Sequence, residues 1–224
     1  MKKPSFIAFS LLALCLFFAL GGCSVVGIRT TAEPSHEVLL SQGNMELRQY
    51  EGQLVAETFV ENIVHSAPGD QQEKHYRRSG SQGFRRLAGY IFGGNTSKEE
   101  IAMTAPVLQE ERSEEIAMTA PVLQEERADG WWMAFVLPDG YTLESAPTPD
   151  DSRVSLREVA PARIATLRYS GRNSPEKMTE HEGALREWLK AEGLEAVGAP
   201  RMASYDPPWT LPFMRRNEVQ IPVK

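Results

Sequence analysis

Hydrophobic positions divide the chain into a leader, a stretch without apolar period, and a long region of alternating and helical patterns. In residues 6–20 only Ser10 is strongly polar, and Lys2 and Lys3 stand before them. A charged start followed by an apolar run is the pattern of a secretory signal. As a helix this run reaches only ~23 Å against a hydrocarbon core of ~30 Å, which argues against a permanent span. Residues 24–43 keep no sustained apolar period and are predicted to be a flexible tether. Beyond them, residues 45–50 alternate and residues 54–60 are rich in strand formers, predicting a hairpin that turns at Glu51-Gly52. Residues 62–80 are polar and contain Pro68-Gly69, which predicts a loop. Phe84, Leu87 and Ile91 then recur at helical spacing, with Arg85 and Arg86 turned away and Gly93-Gly94-Asn95 as a stop, predicting a short amphipathic helix.

The second half repeats the order. Residues 131–137 predict a buried strand ended by Pro138-Asp139-Gly140. Residues 154–159 and 162–169 predict paired strands. Ser174 and Pro175 then read as the N-cap and first residue of a helix that runs to about Glu192 and stops at Gly193. Met178, His181, Leu185, Trp188 and Leu189 form its stripe, and residues 195–205 and 217–223 predict further strands. Two successive units of strand, strand, helix and further strand imply an α+β domain with internal two-fold symmetry. One segment is copied: residues 99–112 recur unchanged as residues 114–127. Two copies cannot build a solenoid, so this is a tandem duplication inside one domain. Ile101, Met103, Ala105 and Val107 alternate onto one face, as do their copies, so one copy is expected in the sheet and the other in an exposed insertion, with Met103 and Met118 competing for one core position.

Chemistry sharpens the reading of the leader. It ends in Leu20-Gly21-Gly22-Cys23, which resembles a bacterial lipobox, in which the cysteine is acylated, palmitate being a common chain. The expected organisation is a lipoprotein signal peptide over residues 1–22, a tether over 23–43 and one domain over 44–224, with the duplication at 99–127. Cys15 leaves with the signal and Cys23 is consumed by lipid, so the mature chain has no thiol for a disulfide, a metal site or a nucleophile. Several acyl chains on one residue hold a protein on a membrane, here at the cell envelope; in a Gram-negative cell Ser24 fits delivery to the outer membrane facing the periplasm. Of the whole chain, 24 Lys and Arg stand against 30 Asp and Glu, and loss of the leader makes the balance more acidic. Nucleic acid is therefore a poor partner.

Four groups of residues resemble the SOUL heme-binding proteins. They are Leu47-Arg48-Gln49-Tyr50; Gly83-Phe84-Arg85-Arg86-Leu87 with Tyr90-Ile91-Phe92-Gly93-Gly94-Asn95; Ile101-Ala102-Met103-Thr104-Ala105-Pro106-Val107; and Tyr205-Asp206-Pro207-Pro208 with Arg215-Arg216-Asn217-Glu218-Val219. They fall in order across residues 45–221. The resemblance implies a distorted β-barrel of two similar halves flanked by two helices, and binding of heme or a related tetrapyrrole in an apolar groove beside a helix. Such a groove needs flat apolar walls and cations for the propionates, which Phe84, Leu87, Ile91 and Met103 on one side, and Arg85, Arg86 or Lys177 on the other, can supply. Plain core packing is the simpler role for Phe84, Leu87 and Ile91. Some members carry a histidine beside the first-strand tyrosine; here that place is Gln49, a poor iron ligand. His36, His65, His75 and His181 remain, of which His181 sits among apolar residues and fits either a ligand or a buried structural histidine.

Three function classes fit these features: a tetrapyrrole-binding lipoprotein that carries or buffers heme at the envelope, a small-substrate hydrolase using a cleft carboxylate, and a structural envelope lipoprotein without ligand. For the second, Glu218 is the candidate acid or base, because a carboxylate beside apolar walls can have a raised pKa; a salt bridge to Arg215 or Arg216 is its plainer role. No nucleophile with a matching base and no glycine-rich phosphate loop is visible, which places binding ahead of catalysis.

Overall fold

The structure is a computed structural model and describes residues 31–61, 69–97 and 113–224. The leader, Cys23, His65, and the first repeat copy with Met103 lie outside them. Alternating positions form β2 (Met45–Tyr50), β3 (Gln53–Glu61), β5 (Val122–Arg127), β6 (Gly130–Val136), β8 (Val154–Val159), β9 (Ala162–Tyr169), β10 (Arg201–Ser204) and β11 (Asn217–Val223). These join β1 (His36–Gln42) in one sheet of order β1-β2-β9-β11-β10-β5-β6-β3-β8; β4 (Asn95–Thr96) and β7 (Thr148–Pro149) pair separately. The helices are α1 (Gly69–Ile91) and α2 (Pro175–Ala191). Among the described residues no helix is long and apolar enough to cross a membrane.

The strands on either side of Glu51-Gly52 form as expected, but they do not form a hairpin. β2 pairs with β9 and β3 pairs with β8. The expected pairing of residues 154–159 with 162–169 fails in the same way. Tyr50↔Ala162 is followed beyond the corner by Gln53↔Val159, so the register carries through unbroken. β2-β3 and β8-β9 are thus two long strands lying antiparallel and bent at one place. That shared bend curls the sheet into a distorted barrel. The halves correspond strand by strand: β3-β6-β5 in one matches β9-β11-β10 in the other, and the halves meet where Leu123 of β5 pairs with Ala203 of β10.

Alternation along each strand sends side chains to two faces. On the outer face α1 lays Leu87, Tyr90 and Ile91 on Leu54, Ala56, Met133 and Phe135, while α2 lays Leu185, Trp188 and Leu189 on Leu47, Ala165, Val219 and Ile221. The intervening residues Val55, Leu123, Trp132, Ala134, Val136 and Ala203 face the barrel interior. α2 is capped as expected, with the Ser174 hydroxyl accepting from the Lys177 amide, and Gly193 just past it adopts φ +68°.

Three expectations need correction. α1 begins at Gly69, so much of the polar stretch expected to be a loop is helix. Its buried stripe runs Tyr76, Ser79, Gly83, Leu87. Gly83 is small because β6 passes close: a Cβ there would stand 3.2 Å from the Met133 sulfur. A helix that buries small residues shows no apolar period. The end of the stretch expected to be a tether is instead β1, which pairs with β2 while Val38, Leu39 and Leu40 stay exposed at the sheet edge. Finally, Met118 is not a core residue. It is 36% exposed, whereas Ile116 and Ala120 are buried and the strand starts only at Val122. The cause is tertiary: Ile116 N–H donates to the Ile91 carbonyl and Ala120 N–H to the Ala32 carbonyl, so residues 116–120 are tied to two separate segments.

Candidate functional site

The residues expected to hold a ligand fall into two groups on the outer face. On α1, Leu87 and Ile91 are fully buried core. Phe84 is partly exposed, with its ring edge-on to Phe135 at 5.4 Å. Arg85 is exposed and turns back to the Ser81 carbonyl at 3.3 Å. Arg86 is already engaged, donating to the Phe59 carbonyl at 2.8 Å. On α2, Lys177 and His181 are half-buried. Four residues apart, they share one side of the helix. The His181 ring lies 4.2 Å from that of Tyr169, and burial lowers its pKa, so the imidazole is neutral at pH 7. The helices approach each other over Trp131, against which Tyr76 of α1, Met178 of α2 and Met202 of β10 pack. Phe84 and Arg85 lie about 12 Å along α1 from Tyr76, at ~1.5 Å of rise per residue. The structure therefore brings Lys177, His181 and Tyr169 together and leaves Phe84 and Arg85 apart from them. Gln49 turns its amide to the Tyr50 carbonyl.

A second constellation lies inside the barrel. Glu218 of β11 is completely buried, and its carboxylate accepts from Arg48 at 3.0 and 3.1 Å, Arg216 at 3.1 and 2.8 Å, the Tyr205 hydroxyl at 2.7 Å and the Gln220 amide at 3.0 Å. Arg48 also holds Glu46 and reaches the Tyr50 hydroxyl, and Arg216 binds Glu33 and lies flat on the Tyr205 ring at 3.8 Å. Burial alone would raise the Glu218 pKa, but Arg48 above all, then Arg216 and the Tyr205 hydroxyl, hold it below the ordinary carboxylate value. The expectation of a raised pKa is thus overturned: two guanidinium groups keep Glu218 ionised, and it is no acid at neutral pH. Burial and the Glu218 charge push the Tyr205 hydroxyl well above its ordinary pKa, so it stays a donor. Arg216 is one of the two partners expected for Glu218. Arg48 was not foreseen, although Glu46-Arg48-Tyr50 and Arg216-Glu218-Gln220 alternate charged and polar groups at the spacing that puts them on one face of a strand.

The inner face also holds a recess of about 110 Å³ at the bend, lined by Tyr50, Leu123, Val136, Val159, Ile164 and Arg201 among others. A larger polar one of about 510 Å³ lies over Asn44, Glu46, Arg168 and Phe213. Neither is lined by Phe84, Arg85, Lys177 or His181. No group of three or more His, Cys, Asp or Glu among the described residues is placed to hold a metal ion.

Among solved structures, the chain is similar to a hydrolase from Listeria innocua at 12% identity, covering 83% of this chain and 94% of that one with a TM-score of 0.50. It is also similar to the C-terminal domain of EcmrR (12% identity, 80% and 96% covered, TM-score 0.46) and to SAV2435 bound to tetraphenylphosphonium (14%, 81% and 94%, TM-score 0.41). At 12% identity the likeness to the Listeria innocua hydrolase speaks for the fold alone. No curated protein matches the sequence. The family model of the SOUL heme-binding proteins matches residues 31–222, from before β1 almost to the end of β11, and so spans both halves of the barrel and both helices. The chain belongs to the SOUL heme-binding protein family.

Proposed function

We propose that this protein holds heme or a related tetrapyrrole against α2 on the helix-covered face, and acts as a lipid-anchored carrier or buffer at the cell envelope. The observation that carries the ligand reading, beside the family match, is the pair Lys177 and His181. A half-buried cation and a neutral imidazole stand one turn apart, with the Tyr169 ring tilted against the imidazole. A heme brings a flat apolar ring, two carboxylates and an iron. Lys177 suits a carboxylate, the aromatic ring of Tyr169 covers one side of the imidazole, and a neutral His181 keeps one ring nitrogen free as an acceptor. Apolar contact supplies most of the affinity.

The anchor reading rests on Leu20-Gly21-Gly22-Cys23. The loop between β10 and β11 supports it. Trp209, Leu211 and Phe213 are 64%, 42% and 72% exposed, although Arg215 clamps the loop through the carbonyls of Thr210 and Pro208. Glu33, near the start of the described chain, binds Arg216 just beyond this loop. Three apolar side chains exposed to water on a loop that Glu33 reaches through Arg216 suit a surface of lipid.

Heme titration of the purified protein tests the ligand reading. A saturable absorbance change is expected, largely kept in His181→Ala; no saturable change refutes heme binding. Fatty-acid labelling tests the anchor, and label that persists in Cys23→Ser refutes it.

A further inference from the structure

On the inner face, among the described residues, the exposed Arg168 and the half-buried Arg201 are the arginines left without a carboxylate. Arg48 and Arg216 share Glu218, Glu46 and Glu33; Arg157 binds Glu57 and Arg127 binds Glu125. Arg201, on the same face, donates from Nε to the side-chain oxygen of Gln220 at 3.1 Å and has no carboxylate partner among the described residues. Gln220 cannot turn away. Its amide nitrogen is committed to Glu218 at 3.0 Å and the Tyr205 hydroxyl at 3.4 Å, which fixes its oxygen toward Arg201. A guanidinium has five N–H donors, so the four on its terminal nitrogens are left to serve an acceptor.

These donors border the recess of about 110 Å³ at the bend, whose other walls include Leu123, Val136, Val159, Ile164 and Pro222. Burial drags the Arg201 pKa down, and Tyr50, Glu125 and Tyr205 nearby offset this in part. No described carboxylate pairs with it directly: Glu125 is bound to Arg127 at 3.0 Å, and Glu51 stands exposed at the rim. A cation of fixed orientation at the edge of a small apolar recess calls for a ligand with a planar anionic head and a short apolar tail.

We propose that this recess is a binding site for a small aliphatic carboxylate, its head taken bidentately by Arg201 and its alkyl chain lying on Leu123, Val159 and Ile164. The site is on the opposite face of the sheet from α2, so it is independent of the tetrapyrrole reading. Planar two-point contact is the chemistry at which arginine exceeds lysine.

The test is calorimetric titration of the full chain with butyrate and, separately, with butyramide, which has the same shape and no charge. Butyrate should bind saturably and butyramide at least about tenfold more weakly. Arg201→Gln, folded by circular dichroism, should lose butyrate binding by about tenfold or more while its heme titration stays unchanged. Equal binding of the amide, no saturable butyrate binding, or full butyrate affinity in Arg201→Gln would each overturn the assignment. The comparison of the two ligands on the unaltered chain decides it even if the variant does not fold.

Discussion

Replacing Glu218 by Gln keeps the size of the side chain and removes its charge from the centre of six hydrogen bonds. The amide retains one oxygen, so a share of the donors from Arg48, Arg216, Tyr205 and Gln220 must face an NH₂ group instead of an acceptor. Breaking a buried ion pair by removing one partner typically costs about 3–5 kcal/mol, because the remaining charge stays buried. Here Arg48 keeps Glu46 and Arg216 keeps Glu33, which favours the low end, about 3 kcal/mol. For a domain of this size that corresponds to a melting temperature lower by roughly 6–12 °C. Urea titration at pH 7, followed by tryptophan fluorescence, measures the loss directly. The pH dependence has a definite sign. Folding depresses the Glu218 pKa below 4.5, so its contribution is fully present above that value and disappears as pH falls through the lower, folded value. The gap between the two proteins should therefore be widest at neutral pH and narrow in acid. A loss under about 1 kcal/mol at pH 7, no more than an exposed ion pair gives, would refute the view that this carboxylate organises the barrel interior.

Two further changes probe the fold. A Cβ on Gly130 would stand 2.3 Å from the Val60 carbonyl oxygen and 2.9 Å from the Glu61 Cα, both backbone atoms of the paired strand, so Gly130→Ala should cost about 2–3 kcal/mol; a value within 0.5 kcal/mol of zero would contradict the close approach of β3 and β6. Deleting residues 99–113 joins Lys98 to Glu114, whose amide already donates to the Asn95 side chain at 2.9 Å, so the shortened chain should fold with equal or slightly higher stability; a loss above about 2 kcal/mol in the same urea assay would mean that the first copy is built into the fold.

Local chemistry wrote several elements into the sequence. Ser174-Pro175 and Gly193 bracket α2, the alternating stretches give β2, β8 and β9 to the residue, and the run of large apolar residues from Trp131 gives β6, because caps and periodicity act over a few neighbours. The family motifs likewise announced a two-part barrel. Pairing was not legible. A corner such as Glu51-Gly52 looks the same in sequence whether the strands fold back on each other or continue into a bent ribbon, and only the presence of β8-β9 alongside decides it. The beginning of α1 was hidden for a related reason: its buried face carries Ser79 and then Gly83, the latter sized to the approach of Met133, and small residues leave no hydrophobic signal. In the interior, sequence showed that Glu218 has arginines nearby and that strand spacing aligns charges on one face. Which arginine meets which carboxylate depends on contacts between residues as far apart as Arg48 and Glu218, and so does the fact that Arg201 is left with only an amide. Such contacts carry their free energy only once the barrel has closed and excluded water, so tertiary structure alone decides them.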